Sequence, residues 1–137
     1  MAINLKKKVA YWFPVVVLCI AIFVQSCLPA FDVGPRFQFK DKFLHAIVYG
    51  LLASLFFRAY HAGGDCRKSL LSTLVISVCF ATLYGISDEI HQAFVPGRYL
   101  DGMDAVANFI GSVLGSAGYL WVVADRRPGC VSDTDAR

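Results

Sequence analysis

Seven side chains able to carry charge or donate and accept hydrogen bonds sit at the ends of apolar segments: Lys42, His45, Glu89, Gln92, Arg98, Asp104 and Asn108. Hydrocarbon tolerates such groups poorly, so they are expected to face one another or water. His45 and Glu89 are the candidate acid and base, because imidazole titrates near neutrality and Glu89 is the strongest carboxylate candidate. Lys42 and Arg98 are candidates for holding an anionic group, Arg98 by a two-point clamp. Arg98 can equally pair with Asp101, Asp104 or Glu89, and Glu89 with Lys42 or Arg98. Tyr49, Tyr84, Gln92, Asp104 and Asn108 complete the candidate binding set. No Ser or Cys lies in a recognisable nucleophile motif and HExxH is absent. His45, Glu89, His91 and Asp104 are metal-ligand types, but their spacing matches no metal motif, so neither metal nor cofactor is expected.

The spacing of these residues is helical. Lys42, His45 and Tyr49 stand at i, i+3 and i+7 and share one face. Tyr84, Gly85, Asp88, Glu89 and Gln92 fall within a sector of roughly 140° at ~100° per residue, with Ile86 and Ile90 outside it. His91 is expected at the water boundary. Asp104, Asn108, Gly111, Gly115 and Gly118 recur at steps of four and three and form one stripe. Gly111-x-x-x-Gly115 permits close backbone approach, so the three glycines are expected to pack on another helix and carry Asp104 and Asn108 inward. The blander expectation is that Lys42 snorkels to the surface while His45 and Tyr49 make ordinary interhelical hydrogen bonds.

The elements that must position these residues are membrane helices. The chain has 137 residues, 57% of them hydrophobic and 17% charged, with a mean hydropathy of +0.57. Length and apolarity together exclude a soluble two-domain enzyme. The net charge of +3 needs no nucleic-acid partner, since basic residues beside membrane helices account for it. Four spans are expected: Val9–Leu28, Phe43–Phe57, Ser69–Ser87 and Ala105–Ala124. Lys42 and Arg58 can lengthen the short second span by snorkelling. Pro29, Gly34 and Pro35, then Gly63-Gly64, then Pro96-Gly97 break the chain between spans, and Pro96-Gly97 fits a turn with φ > 0 at glycine. The fold class is therefore all-α, with one transmembrane domain over residues 9–124 between an N-terminus of residues 1–8 and a polar, disordered tail of residues 125–137.

Lys and Arg placement sets the expected orientation. Nine basic residues flank the two termini and the second connection, against Arg36, Lys40, Lys42 and Arg98 elsewhere. Both termini are thus expected in the cytoplasm, with the polar residues on the extracytoplasmic side. A rival reading makes the first span a cleaved signal peptide or lipoprotein signal ending near Cys27; its length favours a retained anchor. Five cysteines without a CxxC pair point to no internal disulfide.

The ordered set Asp41-Lys42-x-x-His45-x-x-x-Tyr49, Tyr84-Gly85-x-x-x-Glu89-x-x-Gln92, Pro96-Gly97-Arg98 and Asp104-x-x-x-Asn108-x-x-Gly111-x-x-x-Gly115 resembles the VanZ-like family of small bacterial membrane proteins. The resemblance covers about Asp41 to Tyr119. It implies a multi-pass protein of the bacterial cytoplasmic membrane with a cell-envelope role. The family is named after a protein linked to resistance to the glycopeptide teicoplanin, and the resemblance carries no catalytic roles with it. Three functions fit the residues. The first is binding or modulating an anionic lipid, cell-wall precursor or glycopeptide through Lys42 and Arg98. The second is a membrane-embedded hydrolase or transferase acting on an amphiphile, with His45 and Glu89 sharing acid and base duties. The third, a transporter or channel, would need oligomers to line a path, and the polar groups gather at one end instead.

Overall fold

A computed structural model describes residues 5–29, 40–62 and 69–125. The polar tail beyond Asp125 and the Gly34-Pro35 and Gly63-Gly64 connections lie outside the described residues. Four helices follow in order: α1 Leu5–Ser26, α2 Lys40–Ala62, α3 Leu70–Gln92 and α4 Gly102–Asp125. At ~1.5 Å per residue, 22 or more residues reach about 33 Å, enough for a hydrocarbon core of ~30 Å. All four are apolar enough to cross a membrane.

The helices overrun the uncharged segments at most ends, because the flanking polar residues find partners inside the bundle. The clearest case is α2, which takes in both Lys42 and Arg58. Lys42 does not snorkel as expected. Its ammonium bonds to Asp101 and Asp104 at the start of α4, 2.7 and 3.2 Å away. Arg58 lies over the ring of Tyr11 in α1, 5.6 Å from its centroid. At the other extreme α1 stops at Ser26, and Cys27 and Leu28 turn away from the axis.

Alternating chain direction brings the ends of α1 and α3 beside the starts of α2 and α4. Bonds from Arg98 to Leu28 and from Lys42 to Asp104 join these ends directly. α2 packs most extensively on α4, with α3 against both and α1 mainly on α2. Glycine explains the α2–α4 seam: a Cβ on Gly111 would collide with the Ala46 carbonyl, and one on Gly115 with the Gly50 carbonyl. Ser54 Oγ clips the seam by donating to the Gly50 and Gly115 carbonyls, each at 2.8 Å. Gly118 corrects the expected stripe. It is exposed and an added Cβ meets nothing within 4 Å; beyond Gly115 the α2–α4 contact is made by the rings of Phe57 and Tyr119, 5.4 Å apart.

Tyr49, Leu52, Ala53 and Phe57 are buried along α2, with Ala81 opposite on α3. Trp12, Phe56 and Phe80 lock α1, α2 and α3 through ring contacts at 5.3 and 4.2 Å. The outer faces carry exposed Phe13, Ile20, Ile47, Leu71, Leu114 and Trp121. Apolar surface on that scale suits lipid and not water.

Candidate functional site

The polar residues of α2, α3 and α4 meet at the end where α1 and α3 finish. They form two adjoining clusters that share α3, one between α2, α3 and α4 and one against α1.

The first cluster is centred on Glu89. One helical turn places Lys42 and His45 (i, i+3) on the inner face of α2, and Asp104 and Asn108 (i, i+4) on that of α4. His45 Nδ1 lies 3.0 Å from Asn108 Oδ1 and 3.6 Å from Glu89 Oε1. Its ring stacks on Tyr49, with centroids 6.1 Å apart. Glu89 is only 3% exposed, and among the described residues neither of its carboxylate oxygens has a hydrogen-bond partner. The expected ion pair of Glu89 with Lys42 or Arg98 is not formed; His45 takes that place. Asn108 is fully buried, and Gly85 makes room for it, since a Cβ there would lie 2.7 Å from Asn108 Nδ2. Asn108 Nδ2 is buried without a partner among the described residues, and the buried Tyr49 hydroxyl faces Asp88.

Lys42 closes this cluster at the surface through Asp101 and Asp104. Asp101 also caps α4, accepting from the Met103 N–H at 2.8 Å. The Lys42 ammonium, with the Met103 N–H second, holds the Asp101 carboxyl below its ordinary range. Sequence reasoning considered Asp101 as a partner of Arg98 and missed this role. The readable signal was an Asp immediately before the first helical residue of α4.

The second cluster binds α1. Gln92 donates from Nε2 to Asp88 Oδ2 at 2.9 Å and accepts from Arg98 Nη1 at 2.9 Å. Arg98 also donates to the carbonyls of Leu28 and Gln25, at 3.0 and 3.2 Å, in the turn that ends α1, where Gln25 O also accepts from the Leu28 N–H at 3.2 Å. The turn over Pro96-Gly97 aims it there, with Gly97 at φ +80° and the Arg98 N–H returning to Val95 O at 3.1 Å. Tyr84 donates to the Cys19 carbonyl at 2.7 Å. Arg98, Gln92 and Tyr84, all candidate binding residues, thus hold helices together here. Asp88, outside the candidate set, is 7% exposed and belongs with them.

A groove between α1 and α3 opens beside the second cluster. Phe23, Tyr84, Ser87, Asp88 and His91 line it. His91 is half-buried, with Nε2 3.3 Å from Cys27 Sγ.

His45, Glu89 and Asp104 each place one ligand-type atom within 4.8 Å of the others. The sequence reading named these three with His91 as ligand types; their spacing gave no metal motif because they come from three helices, and His91 lies apart, beside Cys27.

Four apolar spans around a polar end define a multi-pass membrane protein. The VanZ/LLP1 family matches residues 5–123, a range that takes in the first span as well as the polar motifs, and the chain belongs to this VanZ-like family. No curated protein and no solved structure matches it.

Proposed function

We propose that this protein is a membrane-embedded hydrolase or transferase of the cell envelope, acting on the polar headgroup of an amphiphile at the extracytoplasmic end of the bundle. The observation that carries the reading is Glu89: a carboxylate buried in the bundle, without a hydrogen-bond partner, beside a histidine that Asn108 holds in place. A reactive group, an adjacent imidazole and a residue that orients the imidazole are the parts that acid–base and nucleophilic catalysis need. Such a carboxylate is costly to keep as structure alone, and perturbed groups of this kind concentrate at functional sites.

Binding of an anionic headgroup by Lys42 and Arg98 is the weaker reading. Both cations already hold internal partners, and a ligand would have to displace Asp101 and Asp104 from one, or Gln92 and two carbonyls from the other. The outward orientation rests on the distribution of Lys and Arg. An impermeant maleimide should label Cys27 in intact cells; labelling that appears after permeabilisation alone would reverse it.

The reaction is tested by comparing lipid extracts of cells with and without the protein. Any species that accumulates without it is then incubated with purified protein in nanodiscs. Glu89→Gln and His45→Ala should each slow conversion by about 10²- to 10⁴-fold while the bundle still folds. Conversion unchanged in both folded variants would refute the reading.

A further inference from the structure

We propose that His45, Glu89 and Asp104 bind one divalent first-row cation, Zn²⁺ or Mn²⁺, at the α2–α3–α4 junction. The proposal rests on the reading of this cluster as the reactive site and names what completes it.

Three observations converge. The first is proximity: one nitrogen and two carboxylate groups already gather within 4.8 Å. Ligands ~2.1 Å from a tetrahedral ion lie about 3.4 Å apart, so the widest pair has to close by up to ~1.4 Å through side-chain rotation. The second is the state of Glu89. It is 97% shielded, and among the described residues neither oxygen has a partner at good hydrogen-bond geometry, with His45 Nδ1 at 3.6 Å and the Asp101 N–H nearby. Buried carboxylates are ordinarily paired or coordinate a metal. The third is charge. At this end of the bundle the described residues include five carboxylates, Asp41, Asp88, Glu89, Asp101 and Asp104, against Lys40, Lys42 and Arg98. A dication offsets the excess of two.

The surrounding residues behave as a supporting shell. Asn108 Oδ1 lies on His45 Nδ1, so with that contact kept the ligand to the metal would be Nε2, while ligation through Nδ1, the nitrogen nearer Glu89, requires Asn108 to turn away. Lys42 engages one Asp104 oxygen, Oδ1, and keeps Asp101 as a closer partner if Asp104 turns inward. Imidazole with carboxylates suits zinc and manganese, while calcium and magnesium prefer oxygen alone. Three protein ligands leave coordination positions open, which suits an ion that meets substrate or water. Such an ion would also admit an anionic headgroup to an end of the bundle that is otherwise acidic.

The test uses the full chain in nanodiscs, stripped with chelator and then titrated with ZnCl₂, MnCl₂, MgCl₂ or CaCl₂. Bound metal per chain is read by elemental analysis and folding by melting temperature. The expected result is one zinc or manganese ion per chain, a raised melting temperature, and affinity at least ~100-fold weaker in Glu89→Gln and Asp104→Asn, more than second-shell changes usually cost. Gly118→Ala, remote from the cluster, should bind as the native chain does. Substoichiometric binding by the native chain at ~100 μM metal, a Kd too weak to matter at cellular zinc or manganese, overturns the proposal. So does binding left intact in both ligand variants. Full conversion by stripped protein that also fails to take up stoichiometric zinc or manganese sinks the metal site and leaves the reaction standing. Stoichiometric metal with conversion unaffected by Glu89→Gln upholds the site and sinks the reaction.

Discussion

Replacing Gly115 by alanine should unlock the α2–α4 seam. The added Cβ would lie 2.8 Å from Gly50 Cα and overlap the Gly50 carbonyl. Carbon atoms in good contact sit ~3.5–4.0 Å apart, so the helices must separate by about 1 Å. Overpacking of this kind typically costs ~1–3 kcal/mol. The shift also stretches the bond from Ser54 to the Gly115 carbonyl, 2.8 Å in the native bundle and worth about 0.6 kcal/mol as an interhelical bond. The sum is about 2–4 kcal/mol. Gly118 supplies the control on the same helix face, since a Cβ there meets nothing and Gly118→Ala should fall within about 0.5 kcal/mol of the native chain. Unfolding in mixed micelles by SDS titration would measure both. Equal stability of Gly115→Ala and Gly118→Ala would refute the close-approach argument.

Asp101→Asn tests the Lys42 link without removing the helix cap, since Asn caps as well as Asp. The folded carboxyl lies below its unfolded value of ~3.9, so its stabilisation is present above that pH and fades as pH falls through the folded value. Melting temperature should therefore drop below about pH 4 in the native chain, with that component missing in Asp101→Asn; superimposable acid profiles would contradict it. Arg98→Lys should free α1, because one ammonium cannot reproduce a planar fork that reaches Gln25, Leu28 and Gln92. In a variant whose single cysteine is Cys27, maleimide labelling should quicken severalfold, and an unchanged rate would argue against the tether. Tyr84→Phe removes the bond to the Cys19 carbonyl and should cost about 0.6 kcal/mol by SDS titration.

Hydropathy revealed the four helices, because a span of lipid leaves a long uncharged run that no soluble fold requires. Helical spacing placed Lys42, His45, Glu89 and Asn108 on inward faces, and the bundle brings them together. Partner choice was less legible. Lys42 and Arg98 were read either as holding an anion or as pairing with carboxylates; Lys42 pairs with Asp101 and Asp104, while Arg98 takes Gln92 and two carbonyls at the end of α1. Which carboxylate a cation meets depends on helix rotation and crossing, and one sequence does not encode these as a repeat. Gly118 shows the same limit. It shares the i+3 and i+4 spacing of Gly111 and Gly115 but lies where the Phe57 and Tyr119 rings, not glycine, make the α2–α4 contact. His45, Glu89 and Asp104 were read as ligand types but matched no metal motif for a related reason, since proximity across three helices leaves no short motif.

Because the tightest seam joins α2 to α4, with α3 between them in the chain, the order of translation matters. The ribosome delivers α2 and α3 before α4 exists. During that interval the nascent chain holds Lys42, His45 and Glu89 at the membrane while Asp101, Asp104 and Asn108 are still unmade. A product truncated before Gly102 would keep its most lipid-averse residues and lack every partner that α4 supplies, a natural substrate for membrane quality control.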